Sequence, residues 1–438
     1  MTMRRLEINN FSCIKKADID LSKFTIVIGP QGSGKSVLCK LAYFCHALPA
    51  NFLGWLFDGM SKAAIYEQIE IDFKLWFPVG AWGNKSYYIS YQYGEYSVTL
   101  KRTYRSNSPS DRVRISFSKN FDEAIDGALK LVSDARSKIA AKNKSDSEAF
   151  DVRISLHSAI RERLLKSLGA GFSFGQLFIP AGRSFFTSIG KAITAFDNQN
   201  MLDPLVLRFG RFVTQIRDPS QSFVFPMRAD GPYGNPFDKI FGAEIYLGRN
   251  KEYAKTPDGR QIPFSALSSG QQELLPLCLA LGEEMTVPGT LYIEEPEAHL
   301  FPEAQSRLIE ILVGIIKSGE SQEPQRTTRG RRRMTARERT SLVMTTHSPY
   351  VLAKINNMLI AARVAKKMGS TRSREINKII PPQCMLSADQ VAAYAIRDDG
   401  TVVTLIDEDG VVNTAYIDSI SGQLEDEYLS LLKMEVSA

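Results

Sequence analysis

The octet Gly29-Pro30-Gln31-Gly32-Ser33-Gly34-Lys35-Ser36 fits the pattern G-x-x-x-x-G-K-[ST]. It lies between an apolar run, Phe24-Thr25-Ile26-Val27-Ile28, and a stretch with helical spacing that begins at Val37. Strand, glycine loop and helix in that order make a phosphate cradle. Glycines let backbone N–H groups converge on phosphate oxygens, and the helix N-terminus adds positive potential. Lys35 can bridge terminal phosphates, and Ser36 can ligate Mg²⁺. Gly29 to Val37 are therefore the candidate nucleotide-binding residues, with ATP and Mg²⁺ as the expected cofactors. Far along the chain, Leu291-Tyr292-Ile293-Glu294-Glu295-Pro296-Glu297-Ala298-His299-Leu300 reads as an apolar strand ending in paired carboxylates. One carboxylate at a strand tip can hold the hydration shell of Mg²⁺, while its neighbour orients or deprotonates an attacking water. Glu294 is assigned to the metal and Glu295 to the water. Glu297 is read as an acidic residue suited to a helix N-terminus.

Two further segments join these. Leu267-Ser268-Ser269-Gly270-Gln271-Gln272-Glu273 precedes an apolar helical run, and the β-like SLVMTT ends at His347 in TTHSPYVL. Taken singly, the first fits a serine-capped helix start and the second a structural histidine. In chain order, however, glycine loop, Ser-Gly-Gln turn, doubled acid and histidine resemble the ATP-binding-cassette superfamily. Ser269 replaces the first glycine of that superfamily's LSGGQ signature. The resemblance implies a head-to-tail homodimer with ATP sandwiched between the chains. Ser268, Ser269, Gly270 and Gln271 of one chain would face the γ-phosphate held by Lys35 and Ser36 of the other. It also implies that His347 senses that phosphate and joins Lys35, Glu294 and Glu295 in the catalytic set.

Residues 37–266 separate the glycine loop from the signature, unlike the compact cassettes of transporters. The opening LEINNFSCIKKADIDL is similar to the first strands of SMC-like and OLD-like ATPases. The segment Phe178-Ile179-Pro180-Ala181-Gly182-Arg183-Ser184 is similar to the I-P-A-x-R-S element of that group, whose arginine either supports the nucleotide site or is structural. Within the group, the chain resembles the stand-alone AAA-family ATPases of bacterial anti-phage defence, of the AriA kind in PARIS or the PtuA kind in Septu. The short helical insertion and the ending from Val391 carry this second resemblance. It implies a sensor and scaffold that holds a separate effector, a TOPRIM or HNH nuclease, until a phage-encoded trigger releases it, with room for assemblies of dimers. OLD-like enzymes carry a TOPRIM nuclease after the histidine. Here Asp407-Glu408-Asp409 matches only the DxD part, no glutamate-glycine element precedes it, and DEDG reads as a hairpin turn, so no intrinsic nuclease is expected. The alternative is an SMC-like DNA clamp acting in repair or restriction. It would contact phosphates through the strands around Lys101 to Arg105 and the arginine-rich loop 326–339, near Arg331, Arg332 and Arg333.

These motifs require an α/β fold: an ABC-type P-loop ATPase with a parallel-sheet core, a β-rich lobe and a helical insertion between glycine loop and signature. Residues 1–118 are read as the first part of the core with the β-rich lobe. Residues 119–240 are read as the insertion and return, and 241–438 as the second part with signature, doubled acid, histidine and a C-terminal cap. In the lobe, the alternation in YEQIEIDFKLWF, KSYYISYQYG, EYSVTLKRT and RVRISFS predicts four antiparallel strands. Residues 121–168 carry charged helical periodicity broken by KNKSDSE, and Asp258-Gly259 predicts a hairpin turn.

The bulk properties bound the remaining choices. With 438 residues, 44% hydrophobic and 23% charged, the chain exceeds one small domain and contains no run apolar enough to span a membrane. No signal peptide is read at MTMRRLEINNF, so a cytoplasmic protein without a membrane partner is expected. The five cysteines are scattered, never in a CxxC pair, and read as small core residues rather than a disulfide or zinc framework. A net charge of +6 permits nucleic-acid contact without demanding it.

Overall fold

Three strands open the chain and separate into two sheets. Arg4–Phe11 (β1) and Ile14–Asp20 (β2) pair as an antiparallel hairpin, whereas Phe24–Ile28 (β3) lies between parallel neighbours in another sheet. Every side chain of β3 is buried, as suits an apolar, β-branched run covered on both faces. The computed structural model describes residues 4–105, 108–141, 146–169, 172–189, 202–217, 237–247, 252–282, 289–318, 340–414 and 427–429. The arginine-rich loop 326–339 and the turn-rich stretch 219–236 therefore lie outside the described residues.

After β3 come helices Lys35–Phe57 (α1) and Lys62–Trp76 (α2), then strands Tyr88–Tyr93 (β4), Tyr96–Arg105 (β5) and Ser108–Phe117 (β6). Two long helices, Lys119–Ala141 (α3) and Asp146–Leu168 (α4), precede Gln176–Ile179 (β7), Ser184–Ile189 (α5), Pro204–Ile216 (α6) and Asp238–Phe241 (α7). Glu244–Leu247 (β8), Glu252–Lys255 (β9) and Gln261–Pro263 (β10) form a small meander. The rest comprises Ser269–Gly282 (α8), Thr290–Glu294 (β11), Pro302–Ser318 (α9), Ser341–Thr345 (β12), Pro349–Met368 (α10), Ser373–Ile379 (α11), Val391–Ile396 (β13) and Val402–Thr404 (β14).

The expected mixed α/β architecture is present. One sheet of five strands, β2-β1-β4-β5-β6, is antiparallel. A second, of six strands ordered β14-β13-β3-β12-β11-β7, is parallel except at β14. The alternating sides of the parallel strands divide the core. Val27, Phe178, Tyr292 and Val343 pack with α1 and the antiparallel sheet, while Ile26, Ile179, Ile293 and Met344 pack with α8, α9 and α10. Asp258-Gly259 forms the turn between β9 and β10, with Gly259 at φ 87°. DEDG is likewise a turn: the Asp407 amide donates to the Val411 carbonyl at 3.0 Å. Cys39, Cys45, Cys278 and Cys384 are buried thiols and Cys13 an exposed one. Among the described residues, no helix is long and apolar enough to cross a membrane.

One predicted strand is a helix instead. The run YEQIEIDFKLWF alternates, but it carries helical spacing as well, and α2 follows the latter. The Ser61 hydroxyl accepts from the Ala64 amide at 3.2 Å and caps the first turn. Ile65, Ile69 and Phe73 then fall on one face and are fully buried, Phe73 against Phe11 and Phe44. Burial of each contributes about 1.5–3 kcal/mol, which outweighs the β preference of isoleucine and tyrosine. The other three runs form β4, β5 and β6, and the charged periodic stretch forms α3 and α4.

His46 of α1 ties the layers together. Its Nε2 lies 2.8 Å from the Ser173 carbonyl oxygen, which can only accept, so Nε2 carries the proton and Nδ1 accepts from the Tyr91 hydroxyl at 2.9 Å. The ring stacks on Phe172 with centroids 4.8 Å apart. Burial pulls its pKa down from 6.5 to about 4. Because the folded-state value is depressed, this group's stabilising effect is fully present above pH 6.5 and is lost as pH falls toward about 4. The loss is on the order of 1.4 kcal/mol per pH unit. Urea unfolding between pH 7.5 and 5 should therefore show a shallower pH dependence for His46→Gln than for the wild type; equal slopes would remove the neutral-histidine assignment.

Candidate nucleotide site

In the parallel sheet, Val27 of β3 pairs with Thr345 of β12, which pairs in turn with Glu294 of β11. The three strands therefore end on one edge, and the segments that follow them meet there: the glycine loop, Thr346-His347 and Glu295. Two glycines of the loop are required by geometry. Gly29, at φ 154°, approaches so closely that a Cβ would lie 2.8 Å from Ser33 Oγ and 2.9 Å from the Ile396 carbonyl oxygen. Gly34, at φ 106°, caps α1, and a Cβ there would lie 2.7 Å from Cys13 Sγ. Pro30, Gln31, Gly32 and Ser36 are exposed, Ser33 and Val37 are half-buried, and Lys35 is buried. Lys35 folds back on its own loop, with Nζ donating to the Gly29 and Pro30 carbonyls at 2.8 Å each. Burial lowers the Lys35 pKa, and Glu295, Cys39, Glu294 and Glu297 push it back up.

The paired carboxylates have different surroundings. Glu294 is buried. One of its oxygens accepts from the Ala181 amide at 3.2 Å, and the other, Oε1, is buried without a hydrogen-bond partner. Glu295 stands at φ 42°, in the left-handed region, pinned by donation of its amide to the Thr345 carbonyl and hydroxyl oxygens at 3.1 Å each. Its carboxylate lies half-buried, 2.8 Å from His347 Nε2. The His347 hydrogen bond holds the Glu295 carboxyl below its ordinary pKa, against the opposing effect of burial. An ionised carboxylate beside an imidazole, at a strand tip open to solvent, is an arrangement able to orient a water and accept its proton.

The unpaired Glu294 oxygen and the exposed Ser36 hydroxyl fit Mg²⁺. Among the described residues, no cluster of three or more histidine, cysteine or acidic side chains could form a cage for a metal. Mg²⁺ in phosphate sites needs none, because one or two protein oxygens, water and the phosphates complete its shell.

Glu297 departs from expectation. The following helix, α9, starts only at Pro302, so Glu297 caps no helix. It is buried, and it accepts from the Thr346 hydroxyl and, at 3.0 Å, from the His347 amide. Burial raises its pKa and these two bonds oppose that rise. Glu297 thus fixes the backbone that presents His347. Arg183 is fully buried and donates to the carbonyl oxygens of Glu294 and Glu295 at 2.7 and 3.0 Å, so of its two sequence readings the structural one describes its contacts. Both residues stand out in the sequence only as charges embedded in apolar, proline-containing segments.

The signature residues stand apart from this cluster. Ser268 and Ser269 are exposed, and the Ser268 hydroxyl bonds to Gln271 within the same turn at 3.1 Å. Gln271 also donates to the Phe241 carbonyl at 2.9 Å. At Gly270 a Cβ would come within 2.9 Å of the His299 carbonyl oxygen, so the turn is packed against the loop after β11. Among the described residues, no hydrogen bond joins Ser268, Ser269 or Gly270 to the glycine loop.

Compared with protein families, residues 24–353 match the one described as "AAA domain, putative AbiEii toxin, Type IV TA system". The chain belongs to this AAA-domain family. The matched span includes the glycine loop, signature turn, doubled acid and histidine. No curated protein matches. Among solved structures, the chain is similar to the SMC head domain from Thermotoga maritima, with 13% identity, a TM-score of 0.36, and coverage of 92% of this chain and 98% of that one. It is also similar to the recombination mediator protein RecF-ATPrS of the RecFOR pathway, at 12% identity, a TM-score of 0.28, and the same two coverages.

Replacing Glu297 with alanine should cost about 1–3 kcal/mol for each buried donor left unpaired, at Thr346 and His347. Thermal melting of Glu297→Ala beside Glu297→Gln, which retains one acceptor oxygen, measures this. An alanine variant as stable as the wild type would refute the anchoring role.

Proposed function

We propose that this AAA-domain protein is an ABC-type ATPase that closes head to tail around ATP and uses that closure to hold a separate protein. The observation that carries the catalytic part is the meeting of Glu295 and His347 at 2.8 Å on the strand edge that also bears the Lys35 loop. The backbone N–H groups between Gly29 and Val37, of which Pro30 has none, bind the phosphates, and Lys35 exchanges its two carbonyl partners for the terminal phosphates. Ser36 and Glu294 hold Mg²⁺, which when bound neutralises charge on the transferred phosphoryl oxygens. Glu295 orients the attacking water and takes its proton, while His347 keeps the carboxylate in place and contacts the γ-phosphate. The signature turn, with Ser268 and Ser269 exposed and Gly270 and Gln271 half-buried, serves the ATP of a second copy, since among the described residues no hydrogen bond ties Ser268, Ser269 or Gly270 to the glycine loop of the same chain.

The proposed setting is anti-phage defence in the cytoplasm, with the chain as sensor and scaffold for an effector of the TOPRIM or HNH nuclease class released by a phage-encoded trigger; the family description, a putative toxin of a type IV toxin–antitoxin system, is compatible with it. The resemblance to AriA of PARIS, and to PtuA of Septu, belongs to this reading. A DNA clamp is the second reading, and one observation favours it. Across the outer face of the antiparallel sheet, Lys16, Asn9, Tyr88, Lys101 and Arg114 pair in a single row, with Lys101 Nζ 5.0 Å from the Tyr88 ring centre. Arg102 does not belong to that surface. Its guanidinium lies over Trp82 and donates to the Ser110 and Gly83 carbonyls.

Lys35→Ala should abolish ATP binding. Glu295→Gln should keep binding, slow hydrolysis by about 100-fold or more, and accumulate as a dimer with Mg²⁺-ATP, as scored by calorimetry, phosphate release and sedimentation. Wild-type turnover in Glu295→Gln would remove the water-orienting assignment. Tagged Glu295→Gln purified from its host with Mg²⁺-ATP separates the two readings: a stoichiometric small nuclease identifies a scaffold. Co-purifying DNA, with affinity that falls steeply with salt and with Lys101→Glu, identifies a clamp.

A further inference from the structure

The turn between β7 and α5 connects the signature helix to the doubled acid. Arg183, fully buried, donates through Nη1 to the Pro180 and Glu294 carbonyls at 3.0 and 2.7 Å, and through Nη2 to the Glu295 carbonyl at 3.0 Å. Its Nε donates to the Glu273 carbonyl at 3.2 Å. Glu273, in the first turns of α8, returns the contact: its carboxylate accepts the amides of Arg183 and Ser184 at 2.8 and 3.1 Å. The Thr187 hydroxyl donates to the neighbouring Gln272 carbonyl at 2.7 Å. On the other side of the turn, the Ala181 amide holds the Glu294 carboxylate. Residues 180–187 therefore grip both the start of α8, just beyond Ser268 to Gln271, and the backbone of the two acids.

We propose that Arg183 and Glu273 are positioning residues that transmit occupancy of the signature turn to Glu295 of the same chain, so that each ATP site of a dimer sets the other. This rests on the dimer reading above. The guanidinium is planar and rigid, and it is fully buried, so a lost partner leaves a charged donor unpaired in a low-dielectric interior. A displacement of α8, when its signature turn engages a second copy's phosphate, cannot be absorbed at Arg183. It passes instead to the Glu295 carbonyl, whose residue already sits at a strained φ and whose amide is the hinge on Thr345. Coupling of this kind is reciprocal, so the readout is cooperativity in ATP.

The test compares ATP hydrolysis against ATP concentration for the wild type, Thr187→Val, Arg183→Lys and Glu273→Gln, together with equilibrium ATP binding and ATP-dependent sedimentation of each. Thr187→Val keeps the side-chain shape and removes one hydrogen bond, so it reports on coupling even where a charge replacement unfolds the protein. The wild type is expected to approach a Hill coefficient of about 2. The variants are expected to fall toward about 1, with kcat reduced roughly tenfold for Arg183→Lys and Glu273→Gln and the affinity for the first ATP unchanged. Folded variants that keep the wild-type Hill coefficient and kcat overturn the proposal. So does a loss of ATP affinity in proportion to kcat, which marks a merely structural role. A wild-type chain that stays monomeric with ATP removes the dimer reading and this one together, whereas a cooperative dimer indifferent to Thr187→Val and Arg183→Lys removes only this one.

Discussion

The register of three parallel strands constrains everything at the site. Successive side chains of a strand point to opposite faces, so a slip of one residue between β11 and β12 would turn Glu294 away from the strand edge and leave Thr345 facing the wrong core. The pairing of Val27, Thr345 and Glu294 prevents this, because each flanking residue is committed to one of two apolar clusters. The chemistry is thus aligned by residues with no chemistry of their own: Ile26, Ile293 and Met344 on one side, Val27, Tyr292 and Val343 on the other.

That alignment concentrates charge where water is scarce. Lys35, Glu294, Glu297, Arg183 and Glu273 are all buried within a few turns of one another. Isolated buried charges are costly, and what makes these tolerable is that their polar atoms are matched by backbone groups as well as by each other. Arg183 bonds to four carbonyls, Glu273 to two amides, and Glu297 to an amide and a hydroxyl. The exceptions among these five residues are Glu294 Oε1 and Glu297 Oε2, buried carboxylate oxygens without hydrogen-bond partners, and Glu294 Oε1 belongs to the residue assigned to the metal.

Much of this was legible in the chain itself. Glycines at fixed spacing after FTIVI, and acids after LYI, have few other uses, and the alternation of β4 to β6 followed from simple pleating. The helix α2 was not legible, because YEQIEIDFKLWF satisfies both periods and only the aromatic cluster around Phe11, Phe44 and Phe73 decides between them. Glu297 was misassigned because sequence shows a charge near a helix but not that Pro302 delays the helix start. The role of Arg183 was left open for a related reason: its partners are main-chain carbonyls, which every residue has and no pattern reveals.

The parallel sheet takes its strands from widely separated parts of the chain, and β3, the first of them, ends up between β12 and β13, which are among the last. A growing chain thus carries an apolar strand with both edges unpaired until residues 341–345 have emerged, and with one edge still open until residues 391–396 follow. Non-local pairing of this kind folds slowly and leaves edges open to wrong partners. The hairpin β1–β2 and helix α1 on either side of β3 are local structures that can shield it during that wait. Timing of synthesis, as well as final stability, therefore shapes how this protein reaches an active state.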